Sequence, residues 1–228
     1  MSLPGRPKGD HRSAQHEGIP VSRVVAIVGA ESTGKTTLAA DLAAALRAEG
    51  QRVALVSEYL REFCEQHGRT PQVHEQTHIA TEQARRINEA AQSHDLVVAD
   101  TTALMIAVYS EHVFGDTGLY AQAEAAQRTY STTLLTALDL PWQADGLQRD
   151  GPQVREPVTA LVRASLARAG VPYSVVSGSG DSRLASALAA VRHTLRAPAE
   201  PGDSTSPRWQ WVCERCGDAG CERHLLPR

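Results

Sequence analysis

Short apolar runs rich in β-branched residues recur along the chain, separated by segments with helical periodicity or helix-forming composition. A run that is apolar at every position is typical of a strand buried on both faces of a parallel sheet. The alternation of such runs with helices predicts an α/β fold, in which a doubly wound parallel sheet of five strands carries helices on both faces. The five runs are RVVAIV (23–28), VALV (53–56), LVVA (96–99), LLTAL (134–138) and YSVV (173–176).

A helix signal follows the first run almost at once. Leu38, Leu42 and Leu46 recur every fourth residue in an alanine-rich background, and Gly50 ends the pattern. The first run, the short segment after it and this helix therefore predict a strand, a glycine-bounded loop and a helix in direct succession.

Changes in composition divide the chain into four parts. Residues 1–21 are polar and lack an apolar core, which predicts a flexible N-terminal tail and not a signal peptide. Residues 22–196 contain all five apolar runs and predict the α/β domain. Residues 197–207 (APAEPGDSTSP) have the composition of a linker, and residues 208–228 are predicted to form a small C-terminal unit rich in Cys and His.

The overall composition narrows the classes of function. The chain has 228 residues and a net charge of −3, so it offers no basic excess for binding nucleic acid. No run approaches the roughly 18 apolar residues of a membrane span. Four cysteines are few for a disulfide framework. We therefore expect a cytoplasmic protein that contacts neither membranes nor nucleic acid.

Residues 29–37 read GAESTGKTT and fit the phosphate-loop pattern G-x-x-x-x-G-K-[ST]. Gly29 and Gly34 would let the backbone bend and approach a polyphosphate closely, while the helix that follows points unpaired N–H groups at it. Lys35 would bridge the β- and γ-phosphate oxygens, and Thr36 would offer its hydroxyl to Mg²⁺. The strand before and the helix after favour this interpretation over an ordinary glycine-rich turn, so ATP and Mg²⁺ are the expected ligands.

Acidic side chains follow two strands at the carboxyl edge of the predicted sheet, where open α/β sheets bind ligands. Asp100 ends the third strand, and it is expected to bind Mg²⁺, to cap the next helix, or to do both. Glu58 follows the second strand, with Arg61 one helical turn further on. These two form either a surface ion pair or a catalytic set, in which Glu58 accepts the proton of an acceptor hydroxyl and Arg61 binds phosphate. Glu58 is our first choice for the base.

A long loop after the fourth strand, PWQADGLQRDGPQVRE, contains Arg149 and Arg155. In many phosphotransferases an arginine-bearing flap closes over the nucleotide and excludes water. We expect the same of these two arginines, the alternative being a solvated charged loop. Trp142 is expected either to stack on a flat base or to pack beneath the loop, and Asp145 either to bind sugar hydroxyls or to shape a turn beside Gly146.

Five motifs occur in a fixed order: GAESTGKTTL, SEYLREF after the second strand, a Gln-rich helical stretch, VVADTT after the third strand, and PWQADGLQRD after the fourth. Together they resemble the ribosylnicotinamide kinase domain of the bifunctional regulators of NAD synthesis, and the stand-alone P-loop ATPases similar to it. The resemblance spans residues 22–193 and implies a P-loop NTPase fold. It also implies an ATP-dependent phosphotransferase that phosphorylates the 5′-hydroxyl of nicotinamide riboside to give nicotinamide mononucleotide. We expect this chain to be the kinase alone.

The resemblance further implies roles for individual residues. Asp100 would serve Mg²⁺, Glu58 would be the acidic base, and the neighbouring Tyr59 would belong to the substrate site. The nucleotide phosphates would be held between residues 29 and 37, by Gly29, Glu31, Ser32, Thr33, Gly34, Lys35, Thr36 and Thr37.

Two other functions stay open. The acceptor could be another nucleoside or a small alcohol, because function depends on the acceptor pocket and not on the fold. The chain could instead be a regulatory switch without kinase activity, in which bound ATP changes how the C-terminal unit meets a partner.

The C-terminal unit contains the pattern C-x2-C-x4-C-x2-H, formed by Cys213, Cys216, Cys221 and His224. Four sulfur and nitrogen ligands so close together can surround Zn²⁺ tetrahedrally in a segment too small for a core of its own. We expect a zinc site here in preference to a disordered tail or a redox pair.

Overall fold

The computed structural model describes residues 23–143 and 151–195. Its strands are β1 (Arg23–Val28), β2 (Val53–Val56), β3 (Leu96–Asp100), β4 (Thr132–Thr136) and β5 (Ser174–Val176). Its α-helices are α1 (Lys35–Ala48), α2 (Tyr59–His67), α3 (Gln76–Ser93), α4 (Ala103–Phe114), α5 (Tyr120–Gln127), α6 (Arg155–Ala169) and α7 (Gly180–Leu195). Short 3-10 helices, Val73–Glu75 and Pro152–Val154, precede α3 and α6.

The five strands form one sheet in the order β2-β3-β1-β4-β5, and all neighbouring pairs are parallel. This arrangement confirms the predicted five-stranded, doubly wound sheet. The chain passes from β1 to the edge strand β2, returns to β3 beside β1, and then continues to β4 and β5 on the other side of β1. Such a reversal of direction leaves a crevice at the carboxyl ends of the central strands, which is where this class of sheet binds ligands.

The central strand β1 is buried on both faces, as its unbroken apolar sequence predicts. Val25 and Ile27 pack into a cluster with α1 and α7. Val24 and Ala26 face the other way, into a cluster that includes residues of α3 and α5. The sheet is therefore covered by helices on both sides, and β1 carries the phosphate loop out of the middle of the core.

The boundaries of β4 differ from the sequence prediction. We expected the strand at residues 134–138, but it begins and ends two residues earlier. Thr132 and Thr133 are buried and pair with Val25 and Ala26 of β1. Threonine is β-branched and common in strands although it is polar, so the pairing with β1, and not the apolar pattern, decides where this strand starts.

None of the helices in the described ranges is long and apolar enough to cross a membrane.

Candidate functional site

The phosphate loop lies between β1 and α1, and two glycines fix its shape. Gly29 leaves β1 at a φ of 146°, and a Cβ atom there would lie 2.1 Å from the hydroxyl oxygen of Thr136 on β4. Gly34 occupies the N-cap position of α1 at a φ of 73° and provides no side chain to cap the helix. The first-turn N–H groups of α1 therefore have no capping side chain and form an anion-binding end of the helix.

Hydrogen bonds inside the loop hold it in one conformation. The hydroxyl of Thr33 donates to the carbonyl of Ala30 at 2.7 Å and lies 2.7 Å from the hydroxyl of Thr136. The ammonium group of Lys35 donates to the same Ala30 carbonyl at 2.9 Å. The loop is thus held by bonds within the protein itself, and a preorganised loop lowers the cost of binding a polyphosphate.

A cavity of about 930 Å³ opens above this loop. On the side of β2 and β3 it is lined by Glu58, which precedes α2, and by residues of α2 and α4, among them Arg61, Met105, Tyr109 and Phe114. On the side of β4 and β5 it is lined by Leu140, Pro141, Ser179 and Arg183. The phosphate loop lies between the two sides, and a volume at the upper end of the range for ligand sites has room for two small ligands side by side.

Glu58 lies where β2 meets α2, in the N-cap position of α2, but its side chain does not cap the helix. Burial raises the pKa of its carboxyl group, and the charge of Asp100 raises it further, while Lys35 and Arg61 act in the opposite direction. A carboxylate whose pKa is raised by burial is a stronger base than one in water. The structure thus brings Lys35, Arg61 and Asp100 within electrostatic reach of Glu58, although the four residues come from three separate segments.

Asp100 is the last residue of β3, and only 2% of its surface is exposed. Its Oδ1 atom is buried without a hydrogen-bond partner in the described part of the chain. The expected capping role is not what the structure shows, because α4 begins at Ala103 with Thr102 in the N-cap position. A buried carboxylate oxygen with no partner suits a cation, and the exposed hydroxyl of Thr36 in the first turn of α1 offers a second hard oxygen ligand.

Within residues 23–143 and 151–195, no three His, Cys, Asp or Glu side chains are arranged to hold a metal ion by themselves. Magnesium at nucleotide sites is bound through one or two protein oxygens together with phosphates and water. Asp100 and Thr36 therefore fit this mode of binding, in which the nucleotide completes the ligand set.

Two residues predicted for the substrate site face elsewhere. The hydroxyl of Tyr59 lies 3.3 Å from Nε2 of His78, and its ring lies 4.4 Å below the guanidinium carbon of Arg86. The indole of Trp142 donates to Oε1 of Glu31 at 3.2 Å. Neither ring is among the described residues that line the cavity, and the roles predicted for Tyr59 and Trp142 in the substrate site stay predictions.

Glu31 and Ser32 connect the phosphate loop to the long loop after β4. Besides the indole of Trp142, Glu31 accepts a hydrogen bond from the backbone N–H of Gly151 at 3.1 Å. The hydroxyl of Ser32 accepts one from the N–H of Gln143 at 2.7 Å. Two of the four variable positions of the motif therefore anchor both described ends of that loop, a role that the motif alone does not indicate.

The predicted arginine-bearing flap is described only at its ends. Arg155 is the first residue of α6; its side chain is buried, does not line the cavity, and leaves two guanidinium nitrogens without a partner in the described ranges. Asp145 and Arg149 lie outside the described residues, as do the predicted zinc ligands Cys213, Cys216, Cys221 and His224. The roles predicted for these residues stay predictions.

Arg183, a buried residue of α7, also belongs to the site, although its sequence pattern did not predict this. Its guanidinium donates to the carbonyl of Thr33 in the phosphate loop at 2.7 Å, to Gly178 at 2.9 Å and to Asp139 at 3.0 Å. It therefore ties the phosphate loop to the segments that follow β4 and β5. The signal in the sequence was the glycine-rich turn GSGDSR directly after the fifth apolar run.

Comparison with solved structures supports the fold. A NadR protein in complex with NR aligns with a TM-score of 0.65 and 20% identity, covering 79% of this chain and 52% of that one. NadR in complex with NAD and AMP-PNP aligns with a TM-score of 0.63 and 20% identity, covering 79% and 51%. Thymidylate kinase from Ehrlichia chaffeensis aligns with a TM-score of 0.54 and 14% identity, covering 76% and 99%. The chain spans about half the length of the NadR chains.

At these identities the likeness shows a shared fold, and it confirms the structural side of the resemblance to the kinase domain of the NAD-synthesis regulators. No curated protein matches the chain significantly. A family model described as an AAA domain matches residues 24–183, which is well over half of the chain. The match extends from β1 to the start of α7. This chain therefore belongs to the AAA domain family of P-loop proteins.

Proposed function

We propose that this protein transfers the γ-phosphoryl group of ATP to a hydroxyl of a nucleoside, and that nicotinamide riboside is its acceptor. The observation that carries the proposal is the convergence of Lys35 and Glu58 on one cavity, with the buried carboxylate of Asp100 beside them. A protein that only bound ATP would need the phosphate loop but would have no use for a partly buried base facing it.

The reaction needs the acceptor oxygen to attack the γ-phosphorus while the bond from that phosphorus to the bridging β,γ-oxygen breaks. Glu58 would accept the proton of the acceptor hydroxyl as the new oxygen–phosphorus bond forms. Lys35 and the N–H groups of the first turn of α1 would stabilise the negative charge that builds up on the leaving phosphate oxygens. The products are ADP and a phosphorylated acceptor.

Magnesium, when bound with the nucleotide, would neutralise charge on the β- and γ-phosphates. Asp100 and Thr36 are the residues of this chain that would hold it. Arg61, which lines the same side of the cavity as Glu58, would orient the phosphoryl group or the acceptor by its charge.

The choice of nicotinamide riboside draws on the motifs in the sequence and on the likeness to NadR, one structure of which contains NR. The acceptor side of the cavity suits a ring-bearing nucleoside, because Tyr109, Val113 and Phe114 of α4 present aromatic and apolar surface there. Phe114 is 43% exposed, so its ring is available to pack against a ring of a ligand.

The test is a screen of ADP release by the purified full-length chain with Mg-ATP, comparing nicotinamide riboside with other nucleosides. We expect turnover on the order of 1–100 per second with nicotinamide riboside, as for other kinases, and much slower turnover with thymidine or adenosine. A background ATPase rate that no acceptor changes would refute the proposal and would favour an ATP-dependent switch.

A second candidate acceptor is a nucleoside monophosphate. One argument for it is the likeness to thymidylate kinase, 99% of which the chain covers. The other is the guanidinium group of Arg61, which lines the cavity on the same side as Glu58 and could bind the acceptor's own phosphate. Including thymidine monophosphate in the screen decides between the two acceptors. If the acceptor is a nucleoside monophosphate, thymidine monophosphate should react faster than any nucleoside, and Arg61→Met should raise the KM for thymidine monophosphate but not the KM for ATP.

A further inference from the structure

A single buried glutamine on α3, Gln83, joins the two strand ends that carry Glu58 and Asp100. Its side chain is completely buried. Its Oε1 accepts a hydrogen bond from the backbone N–H of Tyr59 at 2.7 Å, and its Nε2 donates to the carbonyls of Ser57 at 3.3 Å and Thr101 at 3.1 Å. These backbone groups flank Glu58 on both sides and follow Asp100 directly.

The three bonds fix the orientation of the amide. Only an oxygen can accept from the N–H of Tyr59, and only the NH₂ group can donate to two carbonyls, so the reversed amide would lose all three bonds. Glutamate cannot replace this pattern, since its carboxylate would face two carbonyl oxygens. Methionine has a similar length but forms none of the bonds.

The backbone that Gln83 holds is strained at one point. Thr101 has a φ of 75°, a conformation that a β-branched residue rarely adopts. Its N–H donates to the carbonyl of Ile27 on β1 at 3.1 Å, and its carbonyl accepts from Gln83. Thr101 is thus fixed on one side by the strand that leads into the phosphate loop and on the other by Gln83. Strained residues held in this way cluster at functional sites.

We propose that Gln83 is a positioning residue, which sets the placement of Glu58 relative to Asp100 and the phosphate loop. It touches none of the reacting groups and acts through the backbone at residues 57, 59 and 101. The catalytic part of this inference rests on the proposed phosphotransferase function, whereas the structural part does not. The position of a base relative to its substrate strongly affects the rate, since a displacement of about 1 Å can lower the rate roughly 100-fold.

The experiment compares Gln83→Met with Ile87→Val, which changes a buried residue one turn further along α3. We expect Gln83→Met to lower kcat about 10- to 100-fold while the Kd for Mg-ATP stays at the wild-type value, and Ile87→Val to change neither. If Gln83 only fills space, Gln83→Met keeps the wild-type kcat, and the proposal is overturned. If Gln83→Met does not fold, Gln83→Asn keeps an uncharged amide in the buried site but is one methylene too short to reach all three backbone groups, and a wild-type kcat in that variant overturns the proposal equally.

Amide hydrogen exchange gives a readout that does not depend on activity. We expect faster exchange at Tyr59 and Thr101 in Gln83→Met than in the wild type, and no such change in Ile87→Val. Absence of transfer in the wild-type protein would refute the proposed function, whereas unchanged exchange at these two amides would refute the positioning role. The two failures are therefore distinguishable.

Discussion

Lys35 and Glu58 line the same cavity from different segments of the chain, and their side chains carry opposite charges. Lys35 is bound to the carbonyl of Ala30 and so stays over the phosphate loop. Partial burial of Glu58 raises the pKa of its carboxyl group, while the positive charges of Lys35 and Arg61 favour its carboxylate form. A base with a raised pKa and a cation that stabilises the leaving group are the two side-chain functions that phosphoryl transfer to an alcohol requires.

Replacing Lys35 is expected to abolish transfer without disturbing the fold. Lys35→Met removes the cation that stabilises charge on the β- and γ-phosphates, so kcat should fall roughly 100-fold or more. Lys35→Arg keeps the charge but not the compact ammonium group, and it should restore little activity. Steady-state kinetics measure both effects, and far-UV circular dichroism serves as the control. A collapse of the helical signal would mean that Lys35 is structural.

Glu58→Gln is expected to lower kcat strongly and to leave the affinity for Mg-ATP unchanged, because it removes the proton acceptor and not a phosphate ligand. In the wild type, kcat should fall as the pH decreases through the raised pKa of Glu58, at pH values above the ordinary 4.5 of a glutamate. Glu62→Gln is the matched control on the same helix, since Glu62 forms an ion pair with Arg86 at the surface. Equal losses in both variants would argue against Glu58 as the base.

At the scale of elements, the close contact between the end of β1 and β4 determines the path of the phosphate loop. Gly29 passes so near to Thr136 that any side chain would collide with its hydroxyl. Thr136 in turn bonds Thr33 within the loop. β4 therefore packs directly against the phosphate loop. A substitution at Gly29 or Thr136 should lower both the free energy of unfolding and the affinity for nucleotide.

Gly29→Ala is expected to destabilise the protein more than Gly50→Ala. Both glycines have positive φ values, but a Cβ atom at Gly50 would meet nothing within 4 Å, whereas one at Gly29 would lie 2.1 Å from Thr136. Gly50→Ala should cost about 1–2 kcal/mol from backbone strain, and Gly29→Ala a further 1–3 kcal/mol or so from overpacking. Urea denaturation of the two variants measures the difference; equal midpoints would contradict the packing argument.

The start of α3 should be sensitive to acid. Arg69 holds the pKa of Glu75 at about 2, below the ordinary 4.5, through a direct hydrogen bond, and the backbone N–H of Gln72 adds to the effect. A lowered pKa in the folded state contributes stability that is complete above the unfolded pKa and is lost as the pH falls from about 4.5 to about 2. The difference in Tm between the wild type and Glu75→Gln should therefore shrink over this range. A difference that stays constant would refute the assignment.

The sequence predicts elements better than it predicts the directions of side chains. β1 and β3 could be located because each contains an unbroken run of buried apolar residues, and the phosphate loop because its glycines and lysine have fixed spacing. The start of β4 could not, since Thr132 and Thr133 are polar residues that the register of the sheet buries. Tyr59 and Trp142 lie next to the site in sequence, yet their rings bond His78 and Glu31, because the packing of distant elements decides where a side chain points.

At the scale of the whole molecule, the order of the strands brings the separate parts of the site together. The phosphate loop leaves the central strand, the acidic residues leave two strands on one side, and the loops after β4 and β5 close the other side. Arg183 and Gln83 are buried polar residues that connect these parts through backbone carbonyls. Their bonds cross between segments far apart in sequence, so only the folded chain reveals them.

Phosphorus NMR of the purified full-length protein with Mg-ATP and nicotinamide riboside tests the central claim most directly, because it identifies both products in one sample. The account predicts that ADP and a phosphomonoester of the nucleoside appear together in equal amounts, and that Glu58→Gln suppresses both signals. Formation of ADP with inorganic phosphate alone, whichever nucleoside or nucleoside monophosphate is supplied, would contradict it.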